Sequence, residues 1–577
     1  MPNLEEFPLA NADYLVFAAY CALLCIVGYW VGRKEKQTSA DYFLADRSLP
    51  WYVVGGSFIT ANISSEHFIG MIGSACVYGI CVATSEWLNV GTFTLLIWVF
   101  IPFLLRAGVF TTAEFLEKRF HPVLRLFFAV VTVISNVTVF LAAVLYGGGL
   151  ALQELFGWDL WVAIVALGIV AGSWAIYGGL KSVAWIDFWT MLVMLAGGLA
   201  VTVLGLQSLA GDGGSILDGF REMLERNRAQ SGAWADAVAR AAPAIVHGEH
   251  YNRLSVLQPV THEVAPWPSL IFSVFTISIW YNVLNQFMIQ RVLGARDMYH
   301  ARMGIVFAGY VKAFLPVIIV VPGLIMFAQH PEVLTLPWDE VKPTADKGYV
   351  RMLHTLVPAG LRGLFLAALF GAIQSTVNSV LNSTGTVLTL DIYKRWIRPN
   401  AEEKTLVRLG MWSTTVVLVV SMGLAPFIEK LGGSLFVYIQ TMYAFYAPPF
   451  AAVFLLGLLW RRINARGAIA AVVAGFLLGI GLKVYVNAVQ DHALWIEPYA
   501  MQAIVNWLFC LGVCTVVSLC SAPPAAACVS DDLCLNWRQL TFLKGAGGVW
   551  YKSVLFWWAG FVVAILTLLF LFSELVF

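Results

Sequence analysis

Fourteen stretches of this chain are apolar for long enough to cross a hydrocarbon core, which is about 30 Å thick and takes roughly 20 helical residues. They lie near residues 14–32, 51–80, 83–105, 122–150, 160–177, 184–207, 268–291, 304–329, 361–391, 406–427, 432–460, 466–487, 500–520 and 552–575, numbered here as runs 1 to 14. Barrel strands alternate apolar and polar over about ten residues. These runs are longer and do not alternate, so the expected fold is an all-α membrane protein with about 14 transmembrane helices. Composition agrees. Charged residues are 12% and hydrophobic ones 60% of the chain, against about 25% charged in soluble domains. A soluble enzyme and a disordered tail are excluded. With 35 Lys and Arg against 34 Asp and Glu, there is no basic excess for nucleic acid. The expected surroundings are a lipid bilayer, with no obligate protein partner evident.

The nine cysteines fall mostly inside apolar runs, where cysteine packs as a small hydrophobe. The N-terminal segment is acidic and lacks the basic region of a signal peptide, so run 1 is expected to be retained. Basic residues orient such chains, because cytoplasmic loops collect them. Arg33, Lys34, Lys36, Arg47, Arg106, Lys118, Arg119, Arg125, Arg291, Arg296, Lys394, Arg395 and Arg398 share one side. The other side keeps a smaller set, including Arg253 and Lys342, mostly in the long loops 208–267 and 330–360. Both termini are therefore expected outside, in a multi-pass protein of the plasma (inner) membrane. The first long loop is expected to hold a short helix near 216–240, and 521–550 reads as a connector.

A charge near the bilayer centre costs at least about 2.5–3.5 kcal/mol, so each one needs a reason. Glu86 sits in run 3 and Lys312 in run 8. Lys312 is about nine residues into its run, or roughly 13 Å deep at 1.5 Å per residue. The two read either as a structural ion pair or as ligand-binding groups in a water-filled cavity. Asp187 lies shallower in run 6 and is also readable as an interfacial cap.

Two runs are polar in their middles. Residues 60–67 of run 2 read TANISSEH, with Thr60, Asn62, Ser64, Ser65, Glu66 and His67. Run 7 carries Thr276, Ser278, Tyr281, Asn282, Asn285, Gln286 and Gln290. A continuous lipid-facing helix would not tolerate either stretch. An unwound helix lining a cavity would, and paired interruptions in two halves of a chain point to a transport site. Run 9 adds Ala372, Ser375, Thr376, Asn378 and Ser379, which offer close approach and hard oxygen ligands suited to Na⁺.

Eight segments, in order and at the right runs, carry a family resemblance. They include DYFLADRSLPWYVVGGSFITANISSEHFIGMIGS, EWLNV, YGGLKSVAWIDFWTMLVMLAGG, QFMIQRVLGARD and GLRGLFLAALFGAIQSTVNSVLNSTGTVLTLDIYKRW. The chain resembles the sodium/solute symporter family, closest to its sodium/glucose cotransporter branch, from about Tyr14 to about residue 490. The resemblance implies a LeuT-like core of two inverted five-helix repeats. The chain then divides into an N-terminal extra helix and loop (1–48), repeat one (49–207), the loop 208–267, repeat two (268–460) and peripheral helices (461–577).

Carried over by position, the resemblance implies a first sodium site. It consists of the carbonyls of Thr60, Ile63 and Ala372 and the hydroxyls of Ser375 and Thr376. It implies a second sodium site at Asp187, Ser375, Asn378 and Ser379. Asn378 stands there where hydroxyl residues are usual, which favours one ion. It also implies a solute site at His67, Glu86, Asn89, Ser278, Lys312 and Gln440, gated by Tyr281. Phe140 falls in the same presumed cavity wall. These groups can donate to and accept from a neutral polyol. Asn282 follows the gating Tyr281 where sugar transporters usually have an aromatic, so inositol or another polar solute, a carboxylate included, stays open beside a sugar. The expected activity is sodium-coupled symport of a small polar solute by alternating access. A transporter-like sensor and a uniporter or channel are the rival classes. No soluble region of kinase size follows run 14, and the filled hydroxyl pair disfavours a channel. No Ser/His/Asp or HExxH constellation suggests an enzyme.

Overall fold

The computed structural model describes residues 9–32, 38–431, 434–489, 491–536, 547 and 549–576. The basic residues Arg33, Lys34 and Lys36 lie outside them, as does part of the 521–550 connector. Among the described residues the chain is helical, with only two isolated β-bridges. Eleven helices among the described residues are long and apolar enough to cross a membrane, or twelve when the bent pair Ser269–Leu284 and Gln286–Leu293 is one span. That is fewer than the fourteen expected, and two local features account for it. Run 5 forms the shorter helix Leu160–Ser173, parted from Gly179–Ala210 by a backbone kink at Gly179 (φ +65°), a conformation that glycine adopts without a Cβ penalty. Run 2 is broken, with Trp51–Asn62 separate from the helix that starts at Glu66.

Small residues bring the central helices together. A Cβ added to Gly55 would lie 2.4 Å from the Gly304 carbonyl oxygen. The first half of run 2 and run 8 therefore touch backbone to backbone, which brings Lys312, further along run 8, alongside run 2. Run 9 packs as closely on run 6. Gly371 leaves room for the Tyr20 hydroxyl and the Thr190 methyl, each within about 2.6 Å of where its Cβ would sit.

The loop 208–267 carries two helices, Ile216–Asn227 and Gly232–Val246, where one was expected. Ser215 and Asp218 form a reciprocal capping box at the first, satisfying orphan donors at its start. Buried Arg253 pins the loop to run 2. It donates to the Val77 and Cys76 carbonyls at 2.7 Å, capping the helix Ile72–Tyr78, and lies over the Phe327 ring. The second long loop contributes Trp338–Leu356. All nine cysteines are free thiols.

Candidate functional site

The helix Trp51–Asn62 ends because Ile63 is extended (φ −84°, ψ 121°), and winding resumes at Glu66 as a π-helical turn. Run 7 breaks in the same manner at Asn285 (φ −66°, ψ 123°), with a 57° bend. The two interruptions read from the polar stretches are thus both present. A break frees backbone carbonyls from the helical ladder, and in an apolar surrounding they need partners. Thr376 supplies one. Its hydroxyl donates to the Ile63 carbonyl at 3.2 Å and lies 3.4 Å from that of Ala61. Tyr281 supplies another, its hydroxyl 3.4 Å from the Asn62 carbonyl.

The residues read as cation ligands gather on this break. Thr376 meets Ile63, and Ser375 donates to the Asp187 carboxylate at 2.6 Å. Thr60 lies beside them and its side chain bonds the Gly56 and Asp187 carbonyls at 2.8 Å. The carbonyls facing the Thr376 hydroxyl are those of Ile63 and Ala61, the residue after Thr60. Ala372 is fully buried one turn before Ser375.

Asp187 has no exposure, so the interfacial-cap reading does not hold. Its partners are Ser57 at 2.5 Å, Ser375, and a residue that the sequence reading left among the loop cations, Arg291. Arg291 is 1% exposed. Its terminal nitrogen approaches Asp187 at 3.3 Å and donates to Ser379, while Nε donates to the Ser57 hydroxyl at 2.7 Å. Of the four residues read as a second cation set, Asp187 and Ser379 meet the guanidinium directly and Ser375 joins through Asp187. The fourth, Asn378, is buried with both amide atoms unpartnered.

The expected solute residues line one cavity. His67, Glu86, Asn89, Ser278, Lys312 and Gln440 face it, with Tyr281 and Asn282, around about 830 Å³ of atom-free space that includes its mouth. Lys312 donates to Glu86 at 2.5 Å and to the Asn62 side-chain oxygen. The ion pair and the cavity wall, read as alternatives, are the same group of atoms. His67 Nε2 lies 3.4 Å from the second Glu86 oxygen. Asn282 donates to Asn89 at 2.6 Å. Among the described residues four polar atoms in the wall are unpartnered: Asn62 Nδ2, the Ser273 hydroxyl, Asn282 Oδ1 and the Tyr443 hydroxyl. Asn62, Ser273 and Tyr443 lie outside the expected solute set, as does Glu66, which also lines the cavity.

The cavity reaches Val264 and Ala265 of the long loop. Below it Tyr281 stacks on Phe140, with ring centroids 6.1 Å apart, and packs against Phe287 and Tyr443. Phe140, expected in the cavity wall, instead backs the Tyr281 ring. Glu117 holds Arg125 and Arg395, each at 2.7 Å, and Arg125 holds Asp391. This network ties the helix Thr112–Arg119 to the start of run 4 and the end of run 9.

The chain is similar to known proteins in sequence and in fold. Residues 42–475 match the model of the sodium:solute symporter family. The sodium/glucose cotransporter of Vibrio parahaemolyticus is 34% identical across 92% of this chain and 93% of its own length. The sodium/myo-inositol cotransporter of Mus musculus is 35% identical across 82% of this chain and 66% of its own. A solved Na⁺-coupled sialic acid symporter superposes with a TM-score of 0.72 over 89% of this chain and 98% of that one, at 20% identity, which speaks for the fold alone. The family-model match over most of the length, with a relative 34% identical across 92% of the chain, assigns the chain to the sodium:solute symporter family.

Proposed function

We propose that the chain imports a neutral polyol, a hexose or an inositol, driven by one Na⁺ per cycle. The observation that carries this is the double grip on residues 61–63. Thr376 holds the Ile63 carbonyl from the cation side, and Lys312 holds the Asn62 side chain from the cavity side. An ion bound among Thr60, Ala61, Ile63, Ala372, Ser375 and Thr376 would draw the break against run 9. That sets Asn62, Glu66 and His67 in the cavity wall. Differential binding of this kind is what couples two ligands. The cavity lining supports the solute class. It offers both donors and acceptors, and two carboxylates against one lysine disfavour an anionic solute such as a carboxylate. A single ion is favoured because Arg291 supplies a fixed positive charge to Asp187.

The architecture in this reading is fourteen crossings with both termini outside in the plasma (inner) membrane. Residues 49–207 and 268–460 form the inverted repeats. Tyr281 with its aromatic neighbours closes the inner side of the cavity, and the Glu117 network closes the cytoplasmic vestibule. The membrane potential adds about 2.3 kcal/mol per charge per 100 mV to the drive. The test is uptake of labelled D-glucose and myo-inositol into proteoliposomes under an inward Na⁺ gradient. Na⁺-dependent accumulation of either is expected. Uptake that is equal when K⁺ replaces Na⁺ would overturn the reading.

A further inference from the structure

The charges around the cavity do not cancel. Lys312 is committed to Glu86, at 2.5 Å, and to Asn62. His67 is neutral by geometry. Its Nδ1 accepts the Ser64 N–H at 3.2 Å, so it carries no proton there, and the single ring proton sits on Nε2, facing Glu86. Glu66 remains. It opens the π-helical turn just after the break, is 6% exposed and lines the same cavity. Its backbone N–H bonds Ser64, but its carboxylate has no hydrogen bond or ion pair among the described residues.

The elements packed around Glu66 leave it unpaired: run 4 and the helix Trp338–Leu356, whose Asp346 is held by Ser434 and Leu435, send it no partner among the described residues. Run 3 presents Glu86, a like charge, and run 8 presents Lys312, already engaged. Runs 7, 11 and 13 present Tyr281, Tyr443 and Tyr499, and none donates to it. Lys312 is the one lysine or arginine lining the cavity among the described residues. An ionised carboxylate shut into such a place without a partner costs several kcal/mol, and the group takes up a proton instead.

We infer that Glu66 is a proton-binding member of the solute site: it is protonated when a neutral polyol fills the cavity, and its O–H donates to a solute hydroxyl. This rests on the polyol reading above. While the cavity holds water, the carboxylate is hydrated and free to ionise. A neutral solute displaces that water without bringing a charge, so binding at alkaline pH draws in a proton from solution. The sign follows from linkage. The protonated form binds, so affinity is level at low pH and falls as pH rises past the titration of the empty site, by about tenfold per pH unit in the limit.

The experiment is calorimetric titration of the full chain in saturating Na⁺ with D-glucose and with myo-inositol. It spans mildly acidic to alkaline pH, in two buffers of different ionisation heat. The wild type should take up a proton on binding along the alkaline limb, where its affinity falls. Glu66→Gln, whose amide donates at any pH, should bind with a level affinity and no proton uptake. Polyol binding without proton uptake in the wild type, or proton uptake that persists in E66Q, overturns the inference and leaves the solute class standing. So does a preference for glucosamine over glucose that E66Q abolishes, because the carboxylate would then be ionised. If no polyol binds at any pH, the solute class falls and the inference with it. If E66Q does not fold, the two-buffer comparison on the wild type decides alone.

Discussion

Arg291 reaches across the protein interior to the Asp187 carboxylate, 3.3 Å away, and donates to Ser379 with the same terminal nitrogen. The guanidinium thereby occupies the middle of an oxygen cage formed by Asp187, Ser57 and Ser379. Removing one partner of a buried ion pair leaves the other charge uncompensated, at a cost of about 3–5 kcal/mol. Arg291→Gln is therefore expected to lower the melting temperature strongly. Because the vacated cage is made of hard oxygens, raising Na⁺ should recover part of the loss, and the Na⁺ dependence of uptake should steepen from first order. An unchanged first-order dependence in a folded R291Q protein would count against the tethered-cation role.

Thr376 joins the cation set to the cavity, because its hydroxyl holds the carbonyls of the broken helix. Ser375→Ala with Thr376→Ala should abolish Na⁺ dependence of uptake. Na⁺ should also stop stabilising the protein. A ligand at 100 times its Kd stabilises the folded state by about 2.7 kcal/mol, and a thermal-shift series in Na⁺ against K⁺ reads that loss directly. The cavity residues are untouched by these changes, so residual solute binding without Na⁺ is expected to persist, though weakened.

Lys312 and Glu86 form a pair buried at 2.5 Å, each 4% exposed or less in its side chain. Lys312→Met alone leaves Glu86 charged and buried, with His67 as its remaining partner. The single variant should be destabilised by about 3–5 kcal/mol, and the double variant K312M/E86Q by distinctly less. A double-mutant cycle on melting temperature measures the coupling. Both proteins should lose solute binding, so stability and binding part company here: the second substitution repairs one and not the other.

These cases show what sequence alone could reach. Polar residues in the middle of an apolar run are costly enough to be conspicuous. The breaks at Ile63 and Asn285 and the pair Glu86–Lys312 were therefore legible, as were the hydroxyls of Ser375 and Thr376. Arg291 was not. It lies at the end of run 7, where a basic residue reads as an ordinary loop charge, and only the 57° bend there turns it inward. Glu66 was visible as polar, but its lack of a partner depends on where Lys312 and the Ser64 N–H point. Arg253 was hidden for a similar reason. It sits in a long hydrophilic loop, and its role exists only because that loop folds back onto the helix Ile72–Tyr78. The count of long apolar helices differs from the fourteen runs where geometry interrupts composition, at Gly179 and at residues 63–65.

Glu117 is the hub of an ion-pair network, pairing with Arg125 and with Arg395. These groups are partly solvated, so each pair is worth little for stability. Their value is in where they join: the start of run 4 and the end of run 9. Glu117→Gln should leave the melting temperature nearly unchanged while shifting the resting protein toward its inward-open form. Cysteine labelling of a residue placed beside Tyr281, from the cytoplasmic face, should quicken in E117Q. Labelling at the wild-type rate would show that the network does not hold the gate.

Asp346, on the helix Trp338–Leu356, accepts the Leu435 N–H at 3.0 Å and the Ser434 hydroxyl at 3.2 Å, capping the start of run 11. It also wedges against Gly73, where an added Cβ would lie 2.4 Å from its oxygen. Burial pushes its carboxyl up to about 8, offset only in part by the Leu435 and Ser434 bonds and by Lys342. A carboxyl raised in the folded state favours folding while it is protonated. That contribution is complete below the unfolded value near 4 and is lost as pH rises through about 8. The melting temperature of the wild type should therefore fall from about pH 4 to about 8 and level off beyond it. Asp346→Asn keeps an acceptor for Leu435 and cannot ionise, so its melting temperature should vary less with pH and exceed that of the wild type at the alkaline end. Parallel pH profiles for the two proteins would place the titrating group elsewhere.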